Sequence, residues 1–151
     1  MDTVTYPDPR VADFIDKHFA PVRIVVRENR ELANDHLVSW TPNVAIADDR
    51  GRVHYRIEGY LPPVEFLARL SLGAGKFDLN FAKLAEAAVR FEEVARRHAK
   101  TESGAEALFW LGVARFKKSH NGAELKSSWD QLARDYPDSE WAMKTKIPHK
   151  S

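Results

Sequence analysis

The 151-residue chain contains no cysteine. That absence removes disulfides, thiolate metal sites and cysteine nucleophiles from the chemistry its own side chains can perform, and it leaves the redox compartment undetermined. An excess of one charge is lacking too. The 23 Lys and Arg face 22 Asp and Glu, and a net charge of +1 supplies no global field to recruit nucleic acid, anionic lipid or an acidic substrate. No apolar run approaches the roughly 18 residues of a membrane helix, and Met1-Asp2-Thr3 opens without the basic and then apolar regions of a leader. The expectation is a cytoplasmic protein with neither a membrane nor a nucleic-acid partner. What is present is 44% hydrophobic and 30% charged residues, the balance of a globular chain able to bury one moderate core or two small ones.

Residues 40–59, W-T-P-N-V-A-I-A-D-D-R-G-R-V-H-Y-R-I-E-G, read as a β-hairpin approached through a proline. Residues 43–47 form a short apolar run, Asp48-Asp49-Arg50-Gly51 supplies turn residues, and Val53, Tyr55 and Ile57 alternate with His54, Arg56 and Glu58, which half-buries the second strand. Upstream, Asp8 can cap a helix that begins at Pro9. Val11, Ala12, Phe14, Ile15 and Phe19 share its apolar face, and Pro21 stops it. Residues 22–26 read as a strand, and residues 28–37 as a polar loop with one helical turn at most.

The helix, strand, proline-led hairpin and following helix, with "TYPDPRVADFIDKHFAPVRIVV" at their head, resemble the later part of a thioredoxin-like domain. The resemblance implies a cis bond before Pro42, with Trp40, Thr41 and Pro42 lining a groove for an extended peptide. It also implies a Cys-x-x-Cys segment and a central strand, which belong before Met1 and have no residues here. The strands over 22–26 and 43–47 then lack the neighbour between them. Direct pairing, or a strand accepted from another chain, would fill that gap, and a homodimer is the expectation.

From Pro62 the pattern is helical. Val64, Phe66, Leu67, Leu70 and Leu72 mark one helix, with Gly73-Ala74-Gly75 after it for close approach by another element. A second helix carries Phe81 to Ala95 in its apolar pattern, and a third, with Ser103 as its candidate cap, carries Leu108, Leu111 and Phe116. A fourth carries Leu125, Trp129, Leu132 and Tyr136 before Pro137. Gly75 and Gly112 lie 37 residues apart, and Phe91 and Trp129 lie 38 apart. These strings, "LAEAAVRFEEVARRHAKT", "EALFWLGVARF" and "WDQLARDYPDSEWA", resemble tetratricopeptide-like helical pairs, whose period is 34 residues. A longer turn at residues 119–122 would account for the excess. By this resemblance Gly75, Ala87 and Gly112 are the small residues where helices meet, Phe91 and Trp129 the bulky ones between them, and Pro137 ends a hairpin. Arg115 stands where that pattern has tyrosine, and Ala99 where it has proline.

Candidate chemistry is sparse. His36 beside Asp35 reads as a loop residue, His54 lies on the polar side of a strand, and no two of the six histidines share a helix face at ligand spacing. No metal or cofactor is expected. Asp48 and Asp49 are adjacent on a turn, where carboxylates diverge, so they read as turn formers rather than an acid–base pair. Basic clusters at residues 96–100, 117–118 and 144–150 fall at helix C-termini, where cations are favoured in any case.

The fold class expected is α/β: an incomplete thioredoxin-like domain over residues 1–72, all-α tetratricopeptide-like hairpins over 73–142, and a basic tail over 143–151. The function expected is a non-catalytic module that binds a protein or peptide. The alternative is the C-terminal part of a thiol–disulfide oxidoreductase whose Cys-x-x-Cys lies upstream of Met1, since no enzyme chemistry of that kind can come from the residues present.

Overall fold

The computed structural model describes residues 1–147, so residues 148–151 of the expected basic tail lie outside it. Helix α1 spans Pro9–His18. It starts there because the Asp8 carboxylate accepts the Arg10 amide at 2.9 Å and Pro9 occupies a position whose missing N–H costs nothing. Helix α2 spans Arg30–Asp35, more regular than the polar loop the composition suggests. Strands β1, Asn43–Ala47, and β2, Val53–Glu58, pair antiparallel in register Asn43 with Glu58 and Val44 with Ile57, with an irregularity between Ile46 and Ala47. The Thr41–Pro42 bond is cis, and Gly51 takes a φ of +78° at the turn, where a side chain would be strained.

No strand forms at residues 22–26. Val22 is 81% exposed, and the segment ends in a single 3-10 turn, Val26–Glu28. Its β-branched residues favour a pleated, half-buried surface, but the described sheet contains only β1 and β2 and offers no such neighbour. Propensity without a partner leaves the segment as coil.

Helix α3 spans Pro63–Asn80, passing through Gly73 and Gly75 instead of ending at Leu72. Burial of Leu70, Leu72 and Ala74 along it outweighs the roughly 1 kcal/mol that each helical glycine costs. Then follow α4, Leu84–Arg97, α5, Glu102–Ser119, α6, Gly122–Asp135, and the unforeseen α7, Glu140–Lys144. Helices of 18 and 14 residues are repeated in order, α3 and α4 and then α5 and α6. The turn between α5 and α6 is only His120 and Asn121, with His120 left-handed at φ +56°. The excess over a 34-residue period therefore lies in the long first helices and not in a longer turn. Ser103 is not the cap of α5. It sits one residue inside the helix, fully buried, with no partner for its hydroxyl.

The chain divides into two compact units, Met1–Leu67 and Ala68–Ser151, and the division falls inside α3. The fold is mixed, mostly helical with a small two-stranded antiparallel sheet. No helix among the described residues is long and apolar enough to cross a membrane.

Candidate functional site

The hairpin unit holds Trp40, Thr41 and Pro42 together at the start of β1. Trp40 is 70% exposed, and the Pro42 carbonyl accepts the Gly59 amide at 2.8 Å, which fastens that end of the hairpin. Arg56 tightens it further, donating to Asn43 Oδ1 at 2.7 Å and to the His36 carbonyl at 2.8 Å. At the other end Asp48 accepts from the amides of Arg50 and Arg52, from Arg52 Nε, and lies 3.2 Å from His54 Nε2. Burial alone would raise the Asp48 carboxyl, but the hydrogen bonds from His54, Arg52 and Arg50 hold it well below the usual carboxylate range. His54 is thus part of the turn rather than a polar-face bystander. Asp49 is exposed and takes no part in that network, the divergence expected of neighbouring turn positions.

In the helical unit the glycine–aromatic pairs meet. A Cβ at Gly75 would stand 2.7 Å from the Phe91 ring, so something must shift to admit it, and one at Gly112 would stand 3.0 Å from the Trp129 ring, which would have to give by a few tenths of an ångström. Phe91 and Ala87 are fully buried. Trp129 is only half-buried, stacks on Phe109 with ring centroids 5.1 Å apart, and donates Nε1–H to the Phe109 carbonyl at 3.1 Å. Pro137 is exposed in the turn between α6 and α7. A third close approach escaped the sequence reading: a Cβ at Gly104 would stand 2.7 Å from the Tyr136 hydroxyl, which donates to the Ala99 carbonyl at 2.6 Å.

A cluster of charged side chains and indole rings lies on α3, α5 and α7. Lys76 Nζ lies 3.1 Å from the centroid of the Trp110 ring, and Lys144 Nζ lies 3.9 Å from that of Trp141. The two indoles are 6.1 Å apart. Between these cations Glu106, 7% exposed, accepts from Arg69 at 3.2 Å and from Trp110 Nε1 at 3.2 Å. Burial raises the Glu106 carboxyl, against the pull of Arg69, Trp110, Lys76 and Lys144. Burial likewise lowers the Lys76 ammonium, with Glu106 opposing. Lys144 also pairs with Glu140 at 2.6 Å. Arg69, Lys76, Lys144, Glu106, Glu140 and the Trp110 and Trp141 rings thus share one cluster among the described residues.

Sequence reasoning missed this cluster, although part of its signal is local. Arg69 and Lys76 lie two helical turns apart on one face, and Glu106 and Trp110 sit at i,i+4 spacing. The packing that brings α3, α5 and α7 side chains together is not a local property. In the same unit Asp78, 7% exposed, is matched by Arg90 at 2.6 Å. No group of three or more His, Cys, Asp or Glu side chains placed to hold a metal ion occurs among the described residues. Comparison with protein-family models, with curated proteins and with solved structures finds no match to this chain.

Proposed function

We propose that the chain is a non-catalytic protein-binding module, and that the α3–α5–α7 face of its helical unit takes an acidic, extended segment of a partner protein. The observation that carries this reading is Lys76: a half-buried ammonium 3.1 Å from the centroid of the Trp110 ring, in a cluster that also holds Arg69 and Lys144. A carboxylate from a partner would pair with Lys76 in surroundings drier than bulk water, where such pairs are stronger. Trp110 and Trp141 would give the same segment apolar rings to lie on, as aromatic anchors do in interfaces.

The reading treats the helical unit as tetratricopeptide-like and the hairpin unit as thioredoxin-like. Its support is the repeated pair of long and short helices in one and the helix, hairpin and helix order in the other. Thiol–disulfide exchange is not available to these residues themselves, because the thiolate is the nucleophile of that reaction and the chain has none. We also propose that copies of the chain associate through the hairpin unit, where β1 has a strand on one side only.

Calorimetric titration with an Asp/Glu-rich peptide, beside a Lys-rich control, tests the binding proposal. The acidic peptide binds, its affinity falls with added salt, and Lys76→Met weakens it by roughly five- to tenfold. Equal binding of both peptides, or no effect of Lys76→Met, contradicts it.

A further inference from the structure

Residues 22–26, Val-Arg-Ile-Val-Val, hold four β-branched side chains in five positions, yet most of them stand in water. Val22 is 81% exposed, Ile24 46% and Val25 36%. The first backbone groups of this stretch to find backbone partners are the carbonyls of Val25 and Val26, within the 3-10 turn. No backbone–backbone hydrogen bond is formed by Val22, Arg23 or Ile24 with another described residue. In the same unit β1 is bonded by β2 along one edge only. Its sequence, NVAIA, contains neither the lysines nor the prolines that blunt a free edge, and its irregularity is confined to the Ile46–Ala47 end.

We infer that these two unpartnered elements fit each other between two copies of the chain: residues 22–26 of one copy add as a strand to the open edge of β1 in the other, and reciprocally. The inference rests on the reading that copies associate through the hairpin unit, and it names the segment that does so. The occupant is a second copy because every copy carries both halves of the contact, so the pairing closes on a two-fold axis with two identical ladders. Each side of the ladder is five residues long. Charge does not oppose it, since β1 has no ionisable residue and Arg23, the one charge in the segment, is matched by Asp2 at 2.9 Å. Alternation along the added strand puts Val22, Ile24 and Val26 on one face, where they extend the apolar row of Val44 and Ile46.

Sedimentation equilibrium of the full chain across micromolar concentrations tests this, with Ile24→Pro and Leu37→Asp as variants. The Ile24 amide serves no backbone bond within one copy, so proline at that position leaves the unit folded, as circular dichroism will check, while it removes a donor from the middle of each ladder. Leu37 is 82% exposed elsewhere in the unit and reports on non-specific apolar association. The expected result is a wild-type dimer of twice 17.2 kDa, a dissociation constant raised at least about tenfold by Ile24→Pro, and no change with Leu37→Asp. As a second measurement that needs no proline, Ile24→Cys mixed with Val44→Cys, two positions on the same face of the added ladder, in a chain otherwise free of cysteine forms a disulfide-linked heterodimer on oxidation. A dimer that Ile24→Pro leaves intact, or one that Leu37→Asp dissociates equally, overturns strand addition while association stands. A monomer at every concentration overturns both.

Discussion

The two units of this chain solve the same problem with different completeness. In the helical unit, glycines let aromatic rings close the gaps between neighbouring helices, Gly75 against Phe91 and Gly112 against Trp129, and every long helix buries an apolar face. The hairpin unit buries Val11, Ala33, Ile46, Ile57 and Phe66 but leaves Val22, Leu37, Trp40 and Tyr60 more than half exposed. The difference follows from where each kind of structure satisfies its backbone. A helix bonds within itself and needs only a packing partner, whereas a strand needs a neighbour for its hydrogen bonds and its side chains alike. Repeated helix pairs therefore close a core from local sequence, and a sheet of two strands keeps an edge of each strand without a paired strand.

The sharpest way to break the helical side of that contrast is Phe91→Ala. Emptying a fully buried aromatic site costs about 3–5 kcal/mol, to be read from urea unfolding followed by far-ultraviolet circular dichroism. A loss below about 1 kcal/mol would mean that the gap between α3 and α4 is not closed by this ring, and the contrast would lose its main support.

On the hairpin side the corresponding lever is Asp48→Ala, which deletes the acceptor shared by Arg50, Arg52 and His54. Its consequence should stay local. Amide exchange in β1 and β2 accelerates by about tenfold, the scale of lost turn hydrogen bonds, while α4, α5 and α6 keep their protection. Acceleration throughout the chain would show that the hairpin is a structural foundation for more than its own unit.

A smaller effect sharpens the account of the charged cluster. Because burial holds the Glu106 carboxyl above its ordinary value of 4.5, the folded chain keeps this proton over a range where the unfolded chain has lost it. Stability from this group is present below pH 4.5 and is lost as pH rises through the folded value. His98, lowered by burial from 6.5 with Glu93 opposing, acts with the opposite sign, its contribution lost as pH falls. Comparing Glu106→Gln with the wild type isolates the first. The variant gains on the wild type as pH rises from 4.5, by no more than about 1.4 kcal/mol per pH unit, the limit for one proton. A difference that moves the other way would make Arg69 and Lys76 the dominant partners of a charged Glu106.

Much of this architecture is legible in the residues, and the pattern of what is not follows the same contrast. Asp8-Pro9 announces α1, the alternation over residues 53–58 announces β2, and the spacings of Gly75, Phe91, Gly112 and Trp129 announce repeated helix pairs, because each is a property of neighbouring residues. Residues 22–26 mislead for the complementary reason: their propensity is real, but a strand is decided by its neighbour. Ser103 misleads because Thr101 and the buried turn that follows place the helix start two residues earlier. Helix α7 is only five residues long, too short for a periodic signal, though Ser139 caps it by accepting the Ala142 amide. The cluster around Glu106 joins three helices, and no spacing along one of them reveals the other two.

The claim that binding belongs to the helical unit and not to the hairpin is tested most directly by hydrogen exchange of the full chain with and without an Asp/Glu-rich peptide. The account predicts slowed exchange in α3 from Arg69 onward, in α5 and in α7, with residues 40–47 unchanged. Slowed exchange at residues 40–47, with those three helices unchanged, would contradict it and move the site to Trp40, Thr41 and Pro42.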